Sequence, residues 1–240
     1  MAQQHIVKAF DDQLNALDAK IAEMGGLAES MLADAVDALS KRDAELAAEV
    51  VAGDRKLDQL EEEVNTLAMR LLALRQPTAG DLRAVIAALK ISSDLERAGD
   101  LAKNVAKRTI TIAKAPPVTP VTGIVNLGAL VQGRIHTAID AFVARDAKLA
   151  MDVWSCDEEV DQLHTSLFRE LLTYMMEDPR NITPCAHLLF VAKNIERIGD
   201  HITNVAERIV FLVRGKLPER ERHKEDESPY TEVRPFKKEG

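Results

Sequence analysis

The chain has 240 residues, of which 46% are hydrophobic and only 4% are aromatic, and glycine and proline are sparse. This length suits one or two domains, and the abundance of alanine, leucine, glutamate, lysine and arginine favours an all-α protein. The formal net charge of −8 excludes the broad positive field on which nucleic-acid binding depends, so we expect no nucleic-acid partner.

Three helices are predicted in the first half of the chain. Apolar residues recur at helical spacing from Leu14 to Leu39, which predicts a first long helix. A second helix is predicted over about residues 44–75, where apolar side chains alternate at steps of three and four, typical of a bundle seam. Pro77 ends that helix, and a capping-box pattern just after it begins a third helix that continues to about residue 115.

The second half repeats this scheme after a linker. Residues 113–123 include three prolines, which cannot continue a helix. Helices are then predicted over about 123–144 and 147–176. A last helix is expected to begin near 178–179 or 183–184, since both are plausible pairs of an N-cap residue followed by proline.

The two halves are copies of one unit. Acidic residues of the first two helices match at an offset of 103, in the pairs Asp37 and Asp140, Asp43 and Asp146, Asp54 and Asp157, and Asp58 and Asp161. The third helices match at an offset of 100, where the segments ERAGD and ERIGD pair Glu96, Arg97, Gly99, Asp100 and Asn104 with Glu196, Arg197, Gly199, Asp200 and Asn204. Such a repeat predicts two tandem, similar three-helix bundles with six long helices.

These patterns predict three segments, which are a first repeat over 1–115, a second repeat over 116–215 and a tail over 216–240. The tail is rich in charge and proline and has no apolar period, so it cannot bury enough surface to offset the entropy of ordering. We expect it to be disordered.

The N-terminal sequence MAQQHIVKAFDDQL lacks the pattern of a signal peptide, and no apolar run approaches the roughly 18 residues of a membrane span. Cys156 and Cys185 lie outside any CxxC pattern, which fits reduced thiols. We therefore expect a cytoplasmic protein without direct membrane insertion, peripheral at the inner face of the membrane only through its partners.

Carboxylates spaced by four residues are the candidate functional groups, because each such pair shares one helix face. The pairs are Asp54 and Asp58, Glu96 and Asp100, Asp157 and Asp161, and Glu196 and Asp200. On the third helix of each unit, the acids extend the apolar stripe of the helix, where they repel each other and are costly to desolvate unless a cation neutralises them. Hard metal ions favour oxygen ligands of this kind, so a metal site in each unit is one hypothesis.

Other interpretations of the same acids stay open. Solvated surface carboxylates are common, and basic residues on the third helices could neutralise the acids as ion pairs, namely Arg97, Arg197, Lys103 and Lys107. A carboxylate-bridged, metal-dependent hydrolase or oxidase is an alternative function, and a metal-free structural scaffold is another. The usual catalytic motifs, such as a glycine-rich phosphate loop, HExxH or GxSxG, are absent from the sequence, so we expect no enzyme.

Gly99 and Gly199 stand in the middle of helices, where glycine costs about 1 kcal/mol relative to alanine. Close approach of another helix or of a bound ion would explain both glycines.

The doubled ERxGD segment followed by a helical asparagine, the QPTAGDLR turn and the LLTYMMEDPR segment together resemble the PhoU family of phosphate transport system regulators. The resemblance covers nearly the whole chain up to about Gly215. It implies two similar three-helix bundles whose E(D)xxxD motifs bind iron, manganese, zinc or magnesium. In this chain, the motif residues are Asp54, Asp58, Glu96, Asp100, Asp157, Asp161, Glu196 and Asp200.

The same resemblance implies a negative regulator of phosphate uptake and of the phosphate-starvation two-component response. Members are thought to bridge the ATPase subunit of the phosphate ABC transporter and the phosphate-sensor histidine kinase, without catalytic turnover. We also expect a homodimer. The second unit departs from the first where His164 replaces Glu61 and Phe168 replaces Asn65, so equivalence of the two sites is not assumed.

Overall fold

The computed structural model of the protein describes residues 2–75, 79–114 and 121–218, with side chains left undescribed at 2–10, 74–75 and 157. Every regular element in these ranges is helical. The helices are α1 (Ala2–Lys41), α2 (Ala44–Arg75), α3 (Ala79–Ile112), α4 (Val121–Ala144), α5 (Ala147–Ser155), α6 (Asp157–Glu177) and α7 (Ile182–Arg214), and a short 3₁₀ turn (Pro179–Asn181) precedes α7. The predicted all-α fold is therefore confirmed.

The same turn joins the first two helices of each unit. Arg42 and Arg145 adopt positive φ angles of 58° and 53°, and an aspartate follows each of them. Asp43 accepts hydrogen bonds from the backbone N–H groups that begin α2, and Asp146 does the same at the start of α5. The Arg-Asp sequence that occurs in both units thus forms the same turn twice. In each copy the aspartate accepts hydrogen bonds from backbone N–H groups at a helix N-terminus that have no partner within the helix.

The fifth predicted helix is divided. A single helix is expected over 147–176, but α5 ends at Ser155 and α6 begins at Asp157, with Cys156 as a turn between them. The guanidinium of Arg134, which lies on α4 and is buried, donates a hydrogen bond to the carbonyl of Cys156. A carbonyl engaged by a side chain is drawn away from its helical partner, so the helix breaks there.

The third helix of each unit is the centre of its bundle. In the first unit α3 packs on α1 and α2, and in the second α7 packs on α4, α5 and α6. The two bundles meet along two antiparallel helix pairs. In one pair α1 lies against α4, with Val36 beside Gly128 and Gly25 beside Ile139. In the other pair α3 lies against α7, where Asp94 binds both His201 and Asn204.

Most predicted helix boundaries agree closely with those described. Of the two predicted starts of the last helix only the one at 178–179 has a counterpart, because Thr183 and Pro184 lie inside α7 and Asn181 precedes its first residue. Asp178 caps the 3₁₀ turn through the N–H of Arg180, and the main helix follows at Ile182. The boundary predicted at Ala115 and nearly all of the tail predicted over 216–240 lie outside the described residues. Across the described ranges, no helix is both long and apolar enough to cross a membrane.

Candidate functional site: two carboxylate clusters

The groove between α2 and α3 gathers acids of the first unit, which we call the first cluster, formed by Asp54, Asp58, Glu61, Glu96 and Asp100. Asp54 on α2 is buried, with 5% of its surface exposed. The ammonium of Lys103 on α3 lies 2.5 Å from Asp54 Oδ2 and 2.5 Å from Asp100 Oδ1, so one lysine joins carboxylates of two helices. The acids therefore mark the groove between the two helices and not the deep core.

Burial, and to a smaller extent the charge of neighbouring carboxylates, raises the pKa of three other acids of the first cluster. Burial and the nearby Asp100 raise the pKa of Glu96, whereas Arg97 opposes that rise. Burial and Asp54 likewise raise the pKa of Asp58, and burial also raises that of Glu61. A raised carboxyl pKa means that the ionised form is disfavoured, and for these three acids the main reason is that burial withdraws the carboxylate from water.

Two cations of the first unit reach these acids. The exposed guanidinium of Arg97 lies 3.6 Å from Glu96 Oε2 and 3.6 Å from Asp100 Oδ2. Burial by itself would lower the pKa of Lys103, but hydrogen bonds to Asp100 and Asp54 outweigh it and raise that pKa above its ordinary value. Lys103 is thus an ammonium at neutral pH and supplies a positive charge inside the cluster.

In the second unit, Asp161 of α6 and Glu196 of α7 are buried more deeply, at 3% and 4% exposure, and Asp200 is half-buried. These three residues and Asp157, whose side chain lies outside the described part of the structure, are the acids that the repeat predicts for the second unit, and we call them the second cluster. Lys193 Nζ lies 2.9 Å from Glu196 Oε2. His164, which takes the place of Glu61, is also buried.

The lysines beside the acids stand at different positions on the third helix of each unit. At the offset of 100 residues, Thr203 stands where the first unit has Lys103, and Lys193 stands where it has Ser93. At the offset of 103, Arg134 corresponds to Met31. The repeat thus keeps the positions of the acids and of the arginines Arg97 and Arg197, but not the positions of the lysines.

Arg134 is the residue of this region that the sequence patterns did not single out. It lies on α4 within a series of apolar positions, beside Val131 and Ile135, and its guanidinium is 3.6 Å from Glu159 Oε2. The sequence did contain a signal for this residue, namely an arginine within an apolar helical series. Such an arginine is expected to be buried, and a buried guanidinium needs hydrogen-bond acceptors.

The donor chemistry of the first cluster suits a hard cation, since several carboxylate oxygens face one groove. Among the residues whose side chains are described, however, no group of three or more His, Cys, Asp or Glu side chains is arranged to hold a metal ion. In the first cluster, the ammonium of Lys103 stands between Asp54 and Asp100. The first cluster is therefore arranged around an internal cation, which corresponds to the ion-pair interpretation of the sequence.

The two mid-helix glycines have different surroundings. A Cβ atom on Gly99 would overlap Cδ2 of Leu57 in the neighbouring helix, whereas one on Gly199 would lie at an ordinary 3.5 Å from Cγ1 of Val160. Helix packing accounts for Gly99. The surroundings of Gly199 do not require a glycine.

Comparison with known proteins matches both units. A family model described as the PhoU domain matches residues 21–109 and again residues 124–209. A phosphate-specific transport system accessory protein PhoU homolog of Caulobacter vibrioides is 53% identical over 214 residues, covering 89% of this chain and 93% of that protein. The homolog of the same name from Rhizobium meliloti is 49% identical and covers 94% of this chain and 96% of that protein.

Solved structures give the same result. The crystal structure of PhoU from Pseudomonas aeruginosa superposes with a TM-score of 0.83 at 40% identity, covering 86% of this chain and 100% of that chain. The phosphate transport system regulatory protein PhoU from Streptococcus pneumoniae gives a TM-score of 0.81 at 29% identity, covering 88% and 99%. The chain is therefore similar to these proteins over nearly their whole length.

Proposed function

Because this chain belongs to the PhoU family, we propose that it is a metal-binding regulator of phosphate homeostasis that represses phosphate uptake and the phosphate-starvation two-component response. The observation that carries the proposal is the match of the family model to both units, together with relatives named as accessory proteins of phosphate-specific transport. The resemblance of the ERxGD segments and the QPT turn points to the same function.

The proposed mode of action is that of an adaptor without catalytic turnover. The protein would bridge the ATPase subunit of the phosphate ABC transporter and the phosphate-sensor histidine kinase at the inner face of the membrane, and it would act as a homodimer. The two units match the same family model and pack along two helix pairs, and in this proposal each unit contacts one partner.

Metal binding is the second part of the proposal. In the first unit, the ligands would be Asp54, Asp58, Glu96 and Asp100, and in the second Asp157, Asp161, Glu196 and Asp200. Iron, manganese, zinc and magnesium are the candidate ions, since carboxylates bind all of them. A bound ion would neutralise mutually repelling acids of two helices and so hold the helices of each groove together.

The bridging function can be tested with the purified chain and its two proposed partners. We expect the wild type to retain both the transporter ATPase subunit and the cytoplasmic part of the sensor kinase at high phosphate. We expect E96Q/D100N to retain them less well, because fewer ligands remain to fix the groove between α2 and α3. The matched control is D11N/D12N, which removes the same charge from exposed positions near the start of α1.

Two outcomes of this experiment would contradict the proposal. If the wild type enriches neither partner at high phosphate, the bridging function is wrong. If D11N/D12N loses the partners as E96Q/D100N does, a general change in charge explains the loss and the carboxylate cluster has no special part in it.

A further inference from the structure

We propose that the place where the end of α3 meets the start of α7 is a docking surface for a partner protein, and that this partner presents an amphipathic helix with acidic side chains beside its apolar face. We call it the Phe190 surface, formed by Arg108, Ile182, Ala186, His187 and Phe190. This inference rests on the adaptor function proposed above. It adds the surface that one partner uses and the chemistry of the segment that binds there.

The apolar part of the Phe190 surface is a stripe on α7. Phe190 is 56% exposed and Ile182 is 50% exposed. The half-buried Ala186 lies between them at steps of four residues, so the three side chains share one face of the helix. The eight residues from Ile182 to Phe190 span about 12 Å. Apolar residues two turns apart on a partner helix that lies along α7 have the same spacing.

An arginine of the first unit holds the exposed ring in place. The guanidinium of Arg108 on α3 lies 4.1 Å from the centroid of the Phe190 ring, which is a cation–π contact. Arg108 Nη1 also lies 3.4 Å from His187 Nδ1. Because the ring is already held against the guanidinium, it loses little conformational freedom when a partner covers it. Aromatic and arginine side chains are also the residues that contribute most to binding at protein interfaces.

The surroundings of Phe190 are positive although the chain is acidic overall. Residues 104–114 contain three cations and no aspartate or glutamate, and residues 182–195 contain one lysine, one histidine and no acid. The two stretches meet where Arg108 contacts Phe190. Since the whole chain has a net charge of −8, it repels an acidic partner at most places, and a local group of cations directs such a partner to this surface.

The contribution of Phe190 is tested by its replacement with alanine. The binding of the purified chain to the transporter ATPase subunit, and separately to the cytoplasmic part of the sensor kinase, is measured by biolayer interferometry. We expect F190A to weaken the binding of one of these partners at least about tenfold, mainly through faster dissociation. The matched control is V143A, which shortens an exposed apolar side chain on α4. It should change neither affinity by more than about twofold.

The contribution of Arg108 is tested through the salt dependence of the same binding. We expect R108Q to lower the association rate constant of that partner and to weaken its dependence on sodium chloride, because salt screens attraction between charges. The matched control is K148Q, which removes one positive charge from an exposed position on α5. If R108Q and K148Q change the association equally, only the net charge of the chain matters and the Phe190 surface has no special part in it.

Photo-crosslinking identifies the segment that covers the surface and does not depend on the folding of F190A. A benzophenone derivative of phenylalanine at position 190 should attach to one partner, at a helix that carries aspartate or glutamate beside its apolar residues. Attachment to a basic or uncharged segment would overturn the proposal. Circular dichroism of each variant shows whether its helical content is that of the wild type.

Other occupants of the Phe190 surface give different results. If sedimentation velocity shows that F190A converts a wild-type dimer into monomers, the surface joins two copies of the chain and the proposal is wrong. If the wild type but not F190A sediments with vesicles of phosphatidylcholine and phosphatidylglycerol, the surface binds lipid and the proposal is wrong as well.

Failure of the surface differs from failure of the adaptor function. If both partners bind F190A and R108Q as tightly as they bind the wild type, the Phe190 surface is not a docking site and the adaptor function stands. If the wild type binds neither partner, the adaptor function and the docking surface are both overturned.

Discussion

Arg134 shows how one residue makes two copies of a unit differ. In the first unit, Met31 holds the corresponding place in α1, and α2 runs unbroken through Gly53. In the second unit, the guanidinium of Arg134 takes the carbonyl of Cys156 as an acceptor. This hydrogen bond lies at the point where the second helix of the unit is divided into α5 and α6.

Replacement of Arg134 by methionine tests the importance of this contact. We expect R134M to lower the free energy of unfolding by about 1.5 to 3 kcal/mol, the usual contribution of a hydrogen bond to a charged group. Urea denaturation followed by circular dichroism measures the change. Arg180 is the matched control, because it is 90% exposed in its pair with Asp178, so R180M should leave the stability nearly unchanged. Equal stability of R134M and the wild type would contradict the structural role of Arg134.

At this scale, the sequence predicted the positions of the acids better than their partners. The repeat identified Asp54, Asp58, Glu96 and Asp100, and the structure brings them into one groove with Glu61. Lys103 was one of four basic candidates, and only the packing of α2 on α3 selects it. Arg134 could not be predicted as a partner, because its contact joins α4 to the turn at Cys156, which is distant in sequence.

Among the helices, α1 and α4 approach each other closely where the two bundles meet. Gly25 and Gly26 are adjacent in α1 but face different surroundings. A Cβ atom on Gly25 would overlap Cδ1 and Cγ1 of Ile139 on α4, whereas one on Gly26 would meet nothing within 4 Å. Gly128 on α4 makes a similar approach to Val36, where a Cβ atom would lie 2.7 Å from Cγ2. Glycine therefore sets the distance between the two bundles.

The adjacent glycines give a matched pair of substitutions. We expect G25A to destabilise the protein by about 1 to 3 kcal/mol, since an added methyl group forces α1 and α4 apart or displaces Ile139. G26A should instead stabilise it by up to about 1 kcal/mol, because alanine is the better helix former at an exposed position. Thermal unfolding of both variants measures the difference, and equal effects at the two positions would contradict the packing of α1 on α4.

The existence and the bounds of the helices were the most predictable features, because the sequence signals that determine them are local. Apolar spacing, Pro77 and the aspartates at the two Arg-Asp turns all act within a few residues, so they are visible in the sequence. The division of the fifth helix at Cys156 depends on α4 and was not predicted. The pairing of α1 with α4 was not predicted either, because the glycines that permit it have no local signature.

For the molecule as a whole, the two bundles form one body along the pairs α1 with α4 and α3 with α7. The first pair buries apolar contacts, such as that of Val36 with Gly128. The second pair adds polar contacts, in which His201 Nδ1 lies 2.9 Å from Asp94 Oδ1. Separation of the bundles would expose both surfaces to water, so neither bundle is expected to unfold without the other.

Unfolding should therefore be a single transition, and the chain carries a probe to test it. Trp154 is the only tryptophan of the sequence and is buried in the second unit, so its fluorescence reports that unit, whereas circular dichroism reports all helices. In the presence of a chelator we expect the two signals to share one midpoint. G25A should move both midpoints together, because it acts on the contact between the bundles. A tryptophan transition that is complete before half of the helical signal is lost would show that the units unfold independently, and the rigid connection on which a two-partner adaptor depends would then be absent.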